Sequence, residues 1–270
     1  MAAENGKATL RIFRGDREGG ELKTYEVETF PGMVVLDAVH EVQAKQAPEL
    51  AVRWNCKAGR CGSCSAEVNG KPRLMCMTRM SHFTPGEAIT VTPMKSFPII
   101  KDLVTDVKWN YEVAKKIPPF KPRPRDADGT WRMQQRDIDR IQEFRKCIEC
   151  FLCQDVCHVV RDHDKKETFA GPRFLIHAAG LEMHPLDTLD RKPLAKEELG
   201  LGLCNITKCC TEVCPESIRL TDNAIIPLKE RVADQVYDPV RWLLRKVKGP
   251  EKNPRLPAEL PLAARTAKKA

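Results

Sequence analysis

The sequence lacks any apolar run long enough to span a membrane. A membrane-spanning helix needs about 20 consecutive apolar residues, and no stretch of the 270 residues approaches that length. The first residues, MAAENGKATLRIF, also lack the basic and apolar segments of a secretory signal, and no arginine-rich transit segment precedes residue 8. We therefore expect the chain to lie on the cytosolic side, in a reducing compartment.

Motifs for nucleotide binding and for substrate chemistry are missing as well. No Gly-x-Gly-x-x-Gly pattern follows a predicted strand, no P-loop is present, and no recognisable motif pairs a nucleophile with a base. The isolated chain is therefore not expected to bind a dinucleotide or to transform a carbon substrate, and no catalytic residue is assigned.

Cysteine, by contrast, is abundant, with 12 residues. In a reducing compartment, cysteines in short runs bind metals more often than they form disulfides. Most of these cysteines are separated from the next by only a few residues. Such runs suit metal-binding loops better than disulfides between distant segments.

Residues 1–105 are predicted to form a small, mainly β domain. Alternating apolar and polar residues predict strands at Ala8–Phe13 and Lys23–Phe30, and helical spacing of apolar residues follows from Val34. Asn69-Gly70 is typical of a tight hairpin turn, and the segment EAITVTP predicts a last strand. The pattern indicates the α+β class.

Residues 106–240 are predicted to form an all-α domain, followed by a basic tail over 241–270. The segments DIDRIQEFRKC, PRFLIHAAGLEM and NAIIPLKERVADQV have helical patterns, and Pro172 suits the first turn of its helix. Between the two domains, IIKDLVTDVKWNYEVAKKI predicts one amphipathic helix, which PPFKPRPRD ends.

The first cysteine run predicts a [2Fe–2S] cluster held by Cys56, Cys61, Cys64 and Cys76. The run has the spacing of plant-type ferredoxins, with the fourth cysteine beyond the hairpin. Two glycines within CKAGRCGSC let the backbone wrap around a small cluster and direct N–H groups at its sulfurs. A zinc site would prefer two Cys-x2-Cys pairs, and this run contains one.

A second run predicts a [4Fe–4S] cluster. Its spacing, Cys-x2-Cys-x2-Cys-x3-Cys, is that of bacterial two-cluster ferredoxins, in which the fourth cysteine binds the other cluster. That exchange requires a partner arm, and CNITKCCTEVCP at residues 204–215 matches the template. The ligands predicted for this cluster are Cys147, Cys150, Cys153 and Cys214.

The partner arm departs from the template at its second ligand position, where Thr207 replaces cysteine. Threonine is a poor iron ligand beside thiolates. A three-iron [3Fe–4S] cluster is therefore predicted on Cys157, Cys204 and Cys210.

Cys209 lies outside the template. It is two residues from Thr207, and on a helical turn two such side chains point in different directions. We therefore expect Cys209 to hold no iron. The alternative, in which its thiol turns to complete a four-iron cluster, stays open.

These three cysteine sets, in this order, resemble the iron–sulfur subunit of succinate dehydrogenase and fumarate reductase. The resemblance covers about residues 8–235 and includes CKAGRCGSC, FPIIKDLVTD and CTEVCP. It implies an N-terminal β-grasp domain of the plant-ferredoxin type and a C-terminal helical domain of the bacterial-ferredoxin type. It also implies that electrons pass between FAD in a flavoprotein subunit and quinone at a membrane-anchor subunit, with the first cluster toward the flavin.

The resemblance implies a peripheral position on the cytoplasmic face of the plasma (inner) membrane, where the anchor subunit would hold the chain. One alternative is the iron–sulfur subunit of another flavin-linked oxidoreductase, of the heterodisulfide-reductase or glycolate-oxidase type. Another is a structural metal protein without redox function. The identity of the subunits that co-purify with the chain distinguishes the first alternative from the family assignment. Iron and acid-labile sulfide analysis distinguishes the second.

The expected quinone region departs from the family pattern. Many members have a proline and tryptophans after the cysteine equivalent to Cys157, where this chain has His158 and no tryptophan. They also often have histidine where this chain has Asn205. The quinone site is therefore expected to be built differently or mostly by the anchor. His158, His163 and Asn205 are candidates for positions near the quinone, and surface or packing histidines are the simpler alternative.

The net charge of +8 does not indicate nucleic-acid binding. Nine basic and two acidic residues place nearly all of the excess in 241–270. Each cluster with its thiolates would add about −2, so three clusters would largely neutralise the chain. The segment VRWLLRKVKG predicts either an amphipathic helix on anionic lipid or on the anchor, or a solvated end.

Overall fold

The computed structural model describes residues 6–240 and residue 243, without the side chains of 235–237. The basic tail predicted over 241–270 therefore lies outside the described residues, apart from residue 243. Among the described residues, no helix combines the length and the apolar character required to cross a lipid bilayer.

A mixed five-stranded sheet with one helix forms the N-terminal part. Strand β1 is antiparallel to β2 and parallel to β5, and β5 continues to the β3–β4 hairpin, so the order is β2-β1-β5-β3-β4. The two predicted strands and the predicted hairpin are confirmed. The bounds are β1 Gly6–Gly15, β2 Gly20–Thr29, α1 Val35–Lys45, β3 Ser65–Val68, β4 Lys71–Leu74 and β5 Ile89–Thr92.

The helix α1 covers one face of this sheet. Its apolar residues recur at helical spacing, so Val35, Val39 and Val42 are all buried, as are Leu10 and Ile12 of β1. The backbone N–H of Val34 donates to the carboxylate of Asp37 at 3.2 Å, which satisfies a donor at the helix N-terminus. The sheet and the helix thus enclose the core from which the first cysteine loop projects.

The amphipathic helix predicted for residues 99–117 is wrong in its first half. The structure has a short hairpin there, β6 Ile99–Lys101 and β7 Val104–Thr105, and only then α2 Lys108–Lys115. Asp102 turns the chain with a left-handed backbone (φ 48°), and its buried carboxylate accepts hydrogen bonds from Arg14 Nε, Gly15 N and Ala51 N. These tertiary contacts outweigh the helical pattern of the sequence.

Beyond α2, the described chain consists of helices and short helical turns joined by loops. The predicted helix before the second cysteine run begins as α3 and tightens into a 3₁₀ turn at Gln142–Lys146, and a π-helical turn at Leu220–Ile225 leads into α9. Pro172 occupies the first turn of α6, as predicted. The helices are α3 Gln135–Ile141, α4 Leu152–Asp155, α5 His158–Arg161, α6 Pro172–Glu182, α7 Lys192–Glu197, α8 Cys209–Glu212 and α9 Ile226–Tyr237.

The β and helical parts share one buried core. Phe97 and Phe151 meet edge to face with ring centroids 6.5 Å apart. The carboxylate of Glu67 on β3 is fully buried and pairs with Arg161 on α5 at 3.0 Å. A domain boundary at residue 105 stays a prediction, but the chain changes from strands to helices beyond Thr105.

Candidate metal centres

The first cysteine loop bends around its own sulfurs. Lys57, Gly59 and Gly62 all have left-handed backbones, with φ of 53°, 68° and 69°. This geometry brings the N–H groups of Ala58 and Arg60 to 3.4 and 3.3 Å from the sulfur of Cys56. Donors directed at a sulfur favour its thiolate form, which is the form that binds iron.

The four thiols of this first group have different environments. Burial would raise the pKa of Cys61, but hydrogen bonds from Ser63 and Cys56 lower it to about 7. Burial raises the pKa of Cys64 to about 12, with the neighbouring Cys76 and Cys61 thiols adding to the effect. Cys76 sits in a 3₁₀ turn directly after β4, and Met75 N donates to Cys64 O at 3.1 Å. The hairpin therefore brings the fourth cysteine to the loop.

The second group surrounds a single cavity. Its lining includes Cys147, Cys150, Cys153 and Cys214, which are the four cysteines predicted for the [4Fe–4S] cluster. Six apolar residues complete the wall together with the charged Arg173 and Glu216, and Ile218 N donates to the sulfur of Cys214 at 3.4 Å. Cys214 thus lines the same cavity as three cysteines of the other arm, and the exchange of ligands between the two arms stays a prediction.

Burial makes the thiols of this second group unfavourable as free thiolates. It raises the pKa of Cys150 to about 12, with contributions from the thiols of Cys147 and Cys214, and it raises the pKa of Cys153 well above the usual value. A thiolate in such a place needs a compensating cation. Four thiols that line one mostly apolar cavity fit an iron–sulfur cluster, whose irons would supply that charge.

Arg173 fastens the loop between the first two cysteines of this group. Its Nη2 lies 2.5 Å from Oε1 of Glu149, and Glu149 has a left-handed backbone with φ of 55°. The arginine also lines the cavity, and its buried Nε has no hydrogen-bond partner among the described residues. The sequence patterns gave no signal for this residue.

The third group contains the thiols of Cys157, Cys204, Cys209 and Cys210. Burial raises the pKa of Cys157 to about 11 and that of Cys210 to about 12, and in both cases the thiol of Cys209 adds more than the thiol of Cys204. The hydroxyl of Thr221, in the π-helical turn, lies 3.6 Å from the sulfur of Cys210. Cys209, which the cysteine spacing left outside the predicted ligand set, is therefore close to the thiols of Cys157 and Cys210.

The expectation that Thr207 and Cys209 point in different directions is wrong. Thr207 Oγ1 and Cys209 Sγ lie 3.3 Å apart, within hydrogen-bonding distance. The helical argument fails because α8 begins only at Cys209 and the preceding Lys208 has a left-handed backbone with φ of 63°. That turn folds the threonine back onto the cysteine.

Comparisons with known proteins agree with this geometry. Residues 9–112 match the family described as a 2Fe-2S iron-sulfur cluster binding domain, and residues 143–218 match a 4Fe-4S dicluster domain. The fumarate reductase iron-sulfur subunit of Mycobacterium tuberculosis is 30% identical over 205 residues, which cover 73% of this chain and 80% of that protein. The succinate dehydrogenase iron-sulfur subunit of Bacillus subtilis is 29% identical over 213 residues, 73% of this chain and 81% of its own.

A solved structure extends the comparison. A chain of the Mycobacterium smegmatis Sdh1 complex in the apo form is 65% identical, with a TM-score of 0.85 over 88% of this chain and 100% of that chain. The chain belongs to the family of succinate dehydrogenase and fumarate reductase iron–sulfur subunits.

As a member of that family, the chain is an electron-transfer subunit of an oxidoreductase complex, and its two-part ferredoxin fold is confirmed. Some relatives are longer. A CoM/CoB-type fumarate reductase protein of Methanothermobacter marburgensis is 30% identical over 220 residues, which are 82% of this chain but 42% of that protein. The chain therefore spans less than half of that relative.

The iron–sulfur subunit carries the three predicted quinone-region residues on one surface. Nδ2 of Asn205 lies 2.7 Å from Nε2 of His158, and the His158 and His163 rings are 6.0 Å apart. His158 and Asn205 directly follow Cys157 and Cys204 in the sequence. The structure thus brings together three residues that the sequence separates, although their role stays a prediction.

The families that match this chain bind iron–sulfur clusters rather than single ions. Within the described part of the chain, no set of three or more His, Cys, Asp or Glu residues is drawn together around one ion. An iron–sulfur core holds its cysteines farther apart, because sulfide and several irons lie between them. The individual ligand assignments stay predictions.

Proposed function

We propose that the chain relays electrons between FAD in a flavoprotein subunit and a quinone at a membrane-anchor subunit of a succinate:quinone oxidoreductase or quinol:fumarate reductase. When bound, the [2Fe–2S], [4Fe–4S] and [3Fe–4S] clusters would supply the one-electron redox chemistry. The residues of the chain hold these groups in sequence, exclude water from them and set their potentials.

The contact between the first two cysteine loops is the observation that carries this proposal. Ser65 directly follows Cys64, and its hydroxyl lies within hydrogen-bonding distance of the carbonyl oxygens of Gly62, at 2.8 Å, and of Cys150, at 2.9 Å. A Cβ added at Gly62 would lie 2.6 Å from the Cα of Cys150, so the two backbones touch. Loops in contact keep consecutive clusters close, as a relay requires.

The second and third groups are also adjacent. The thiol of Cys210 adds to the elevated pKa of Cys153, after burial and the thiols of Cys150 and Cys147. Cys153 lies in α4, a single helical turn, and Cys157 lies just beyond the end of that turn. This supports the proposed order, in which the second site connects the first to the third.

Exposed apolar side chains support a flavoprotein partner next to the first loop. Trp54 is 47% exposed and Met77 57% exposed, and both belong to the region around Cys56 and Cys76. Trp54 meets the ring of His40 at 4.8 Å and the ammonium group of Lys57 at 5.0 Å. Apolar surface rimmed by charge is typical of a protein interface.

At the other end of the relay, we propose that His158, His163 and Asn205 face the quinone. Their imidazole and amide groups are exposed hydrogen-bond partners next to the third thiol group. The chain would then lie on the cytoplasmic face of the plasma membrane, held there by the anchor subunit.

Electron paramagnetic resonance of the purified complex tests the proposal. The oxidised complex should show a [3Fe–4S] signal, and stepwise reduction should add [2Fe–2S] and [4Fe–4S] signals. Cys61→Ser, Cys153→Ser and Cys204→Ser should each remove or alter the signal of one cluster: the [2Fe–2S], the [4Fe–4S] and the [3Fe–4S] signal respectively. A complex without the oxidised signal, or one in which Cys204→Ser changes only the [2Fe–2S] signal, would contradict the ligand assignments.

A further inference from the structure

The third thiol group has one more thiol than a three-iron cluster uses. Cys209 is half-buried and directly precedes Cys210, a buried thiol that is predicted to bind the cluster. Cys209 is therefore the extra thiol at this site.

The sulfur of Cys209 also lies beside the position of the missing ligand. On the two-cluster template, Thr207 stands where a cysteine would bind the fourth iron. Since Thr207 Oγ1 and Cys209 Sγ are 3.3 Å apart, the cysteine sulfur lies within one hydrogen bond of that corner. A thiolate is a far better iron ligand than a hydroxyl.

We propose that Cys209 is a conditional fourth ligand, which lets the third site take up ferrous iron and convert from [3Fe–4S] to [4Fe–4S]. The inference rests on the proposed function, because it starts from a three-iron cluster on Cys157, Cys204 and Cys210. It assigns to the site a second metal state that depends on the supply of electrons and ferrous iron.

The conversion balances without a further co-reactant. The electron relay supplies one electron, which takes the three-iron core from a charge of +1 to 0. Fe²⁺ then bonds to the open sulfides of the core and to Cys209, whose thiol proton passes to solvent, and the product is a [4Fe–4S] core of charge +2. Oxidation by one electron reverses the change and releases Fe²⁺.

Thr207 explains why the three-iron state would be the resting state. Its hydrogen bond to Cys209 holds the thiol beside the corner, and Lys208 keeps a left-handed backbone between them. Lys208 is itself tied to Asp222 by an ion pair of 2.7 Å. Cys209 must exchange its threonine partner for iron, a change confined to one side chain.

Mössbauer and paramagnetic resonance spectroscopy of the intact complex test this inference. The complex is purified, reduced with dithionite under argon, incubated with ⁵⁷Fe²⁺ and freed of excess iron. It is then poised at a potential that returns any unconverted three-iron core to its oxidised, paramagnetic state but does not oxidise the [4Fe–4S] product. The wild type should lose its oxidised [3Fe–4S] signal and gain about one ⁵⁷Fe per chain in a four-iron environment. Cys209→Ser and Cys209→Ala should keep the [3Fe–4S] signal and bind no ⁵⁷Fe above background.

Thr207→Val supplies a second variant that leaves every cysteine in place. Without the hydroxyl partner, Cys209 is free to bind, so the variant should take up iron faster than the wild type. The [2Fe–2S] and [4Fe–4S] signals of each sample report whether the complex has assembled.

Two failures are distinguishable. If the wild type shows the [3Fe–4S] signal but no iron uptake, or if Cys209→Ser takes up iron as well as the wild type, the inference is wrong while the proposed function stands. If no sample shows a [3Fe–4S] signal in any oxidation state, the proposed cofactor assignment itself fails.

Discussion

The hydroxyl of Ser65 lies between two carbonyl oxygens that can accept its proton, that of Gly62 at 2.8 Å and, across 85 residues of sequence, that of Cys150 at 2.9 Å. Ser65 begins β3 in the sheet, and Cys150 immediately precedes the turn into α4. The bond to Cys150 is buried, so it is not exchanged readily for a bond to water. The two ferredoxin-like parts are therefore joined at their cysteine loops, where electrons must cross.

Gly62→Ala should disrupt this junction. The added Cβ would lie 2.6 Å from the Cα of Cys150, a backbone atom that cannot move alone. We expect the free energy of unfolding to fall by about 1–3 kcal/mol from overpacking, in addition to backbone strain at φ of 69°. Chemical denaturation followed by cluster absorbance measures the change, and the [4Fe–4S] resonance should broaden.

Gly70→Ala is the matched control for Gly62→Ala. Its φ is 72°, and an added Cβ would meet no atom within 4 Å. The control therefore carries the strain of a left-handed alanine without the collision. Equal losses of stability in the two variants would show that the loops can separate without cost.

Arg191→Met should destabilise the helical part strongly. Arg191 and Asp187 are each 1% exposed and form an ion pair of 2.7 Å, and the guanidinium also donates to the carbonyl oxygens of Pro118 and Pro119. Removing one partner leaves a buried carboxylate without its cation, which costs about 3–5 kcal/mol. Denaturation of the complex measures this loss.

Lys108→Met is the control for the arginine substitution. Lys108 pairs with Glu112 at 3.5 Å, but the two side chains are 77% and 55% exposed. Such pairs contribute little, so we expect a change within about 0.5 kcal/mol. A comparable loss in both variants would mean that burial does not govern the contribution of these pairs.

Asp102→Asn should destabilise the hairpin that replaced the predicted helix. Asparagine tolerates the left-handed backbone at this position, so the substitution isolates the carboxylate. Its amide cannot accept from Arg14, Gly15 and Ala51 together, and a buried donor left unpaired costs about 1–3 kcal/mol. Asp16→Asn, in an exposed turn, is the control. An equal loss of unfolding free energy in the two variants would show that the buried carboxylate of Asp102 does not stabilise the hairpin.

The same aspartate shows which parts of the fold the sequence could reveal. Alternation in β1 and β2, helical spacing in α1 and the Asn69-Gly70 turn are local signals, and all led to the observed elements. The hairpin at 99–105 depends on partners of Asp102 that lie 88, 87 and 51 residues away. A pattern within the segment cannot reveal contacts with such distant residues, so the helical spacing of its apolar residues led to a wrong prediction.

In the candidate site, too, local features could be predicted from the sequence and contacts between distant segments could not. Cysteine spacing is local, and it led to the four residues that line one cavity. The link between Ser65 and Cys150 and the approach of Thr221 to Cys210 arise from packing between distant segments. The direction of Cys209 depends on a left-handed lysine, a conformation that non-glycine residues adopt too rarely to be expected from sequence.

Thr221→Val should lower the reduction potential of the third cluster. Thr211 Oγ1 lies 3.1 Å from Thr221 Oγ1, so the Thr211 hydroxyl can donate to Thr221 while Thr221 donates to the sulfur of Cys210. A bond to a thiolate stabilises the reduced, more negative cluster. Removing a bond of about 1 kcal/mol corresponds to roughly 40 mV for one electron.

Redox titration of the oxidised [3Fe–4S] signal measures the Thr221→Val shift. Thr221→Ser keeps the hydroxyl and should retain the wild-type potential, which separates hydrogen bonding from packing. A potential unchanged in the valine variant, or raised, would contradict the proposed direction of the bond.

Replacing both His158 and His163 with alanine should impair quinone reduction and leave the upstream relay intact. The two rings and Asn205 form one exposed group of hydrogen-bond partners beside Cys157 and Cys204. If this group binds the quinone, losing a hydrogen bond of about 1.4 kcal/mol slows quinone-linked turnover about tenfold.

Succinate oxidation with a soluble dye that accepts electrons before the third cluster is the internal control. His82→Ala, an exposed histidine in the β part, should change neither rate. Unchanged quinone-linked turnover in the double variant would show that these histidines are surface residues without a role at the quinone.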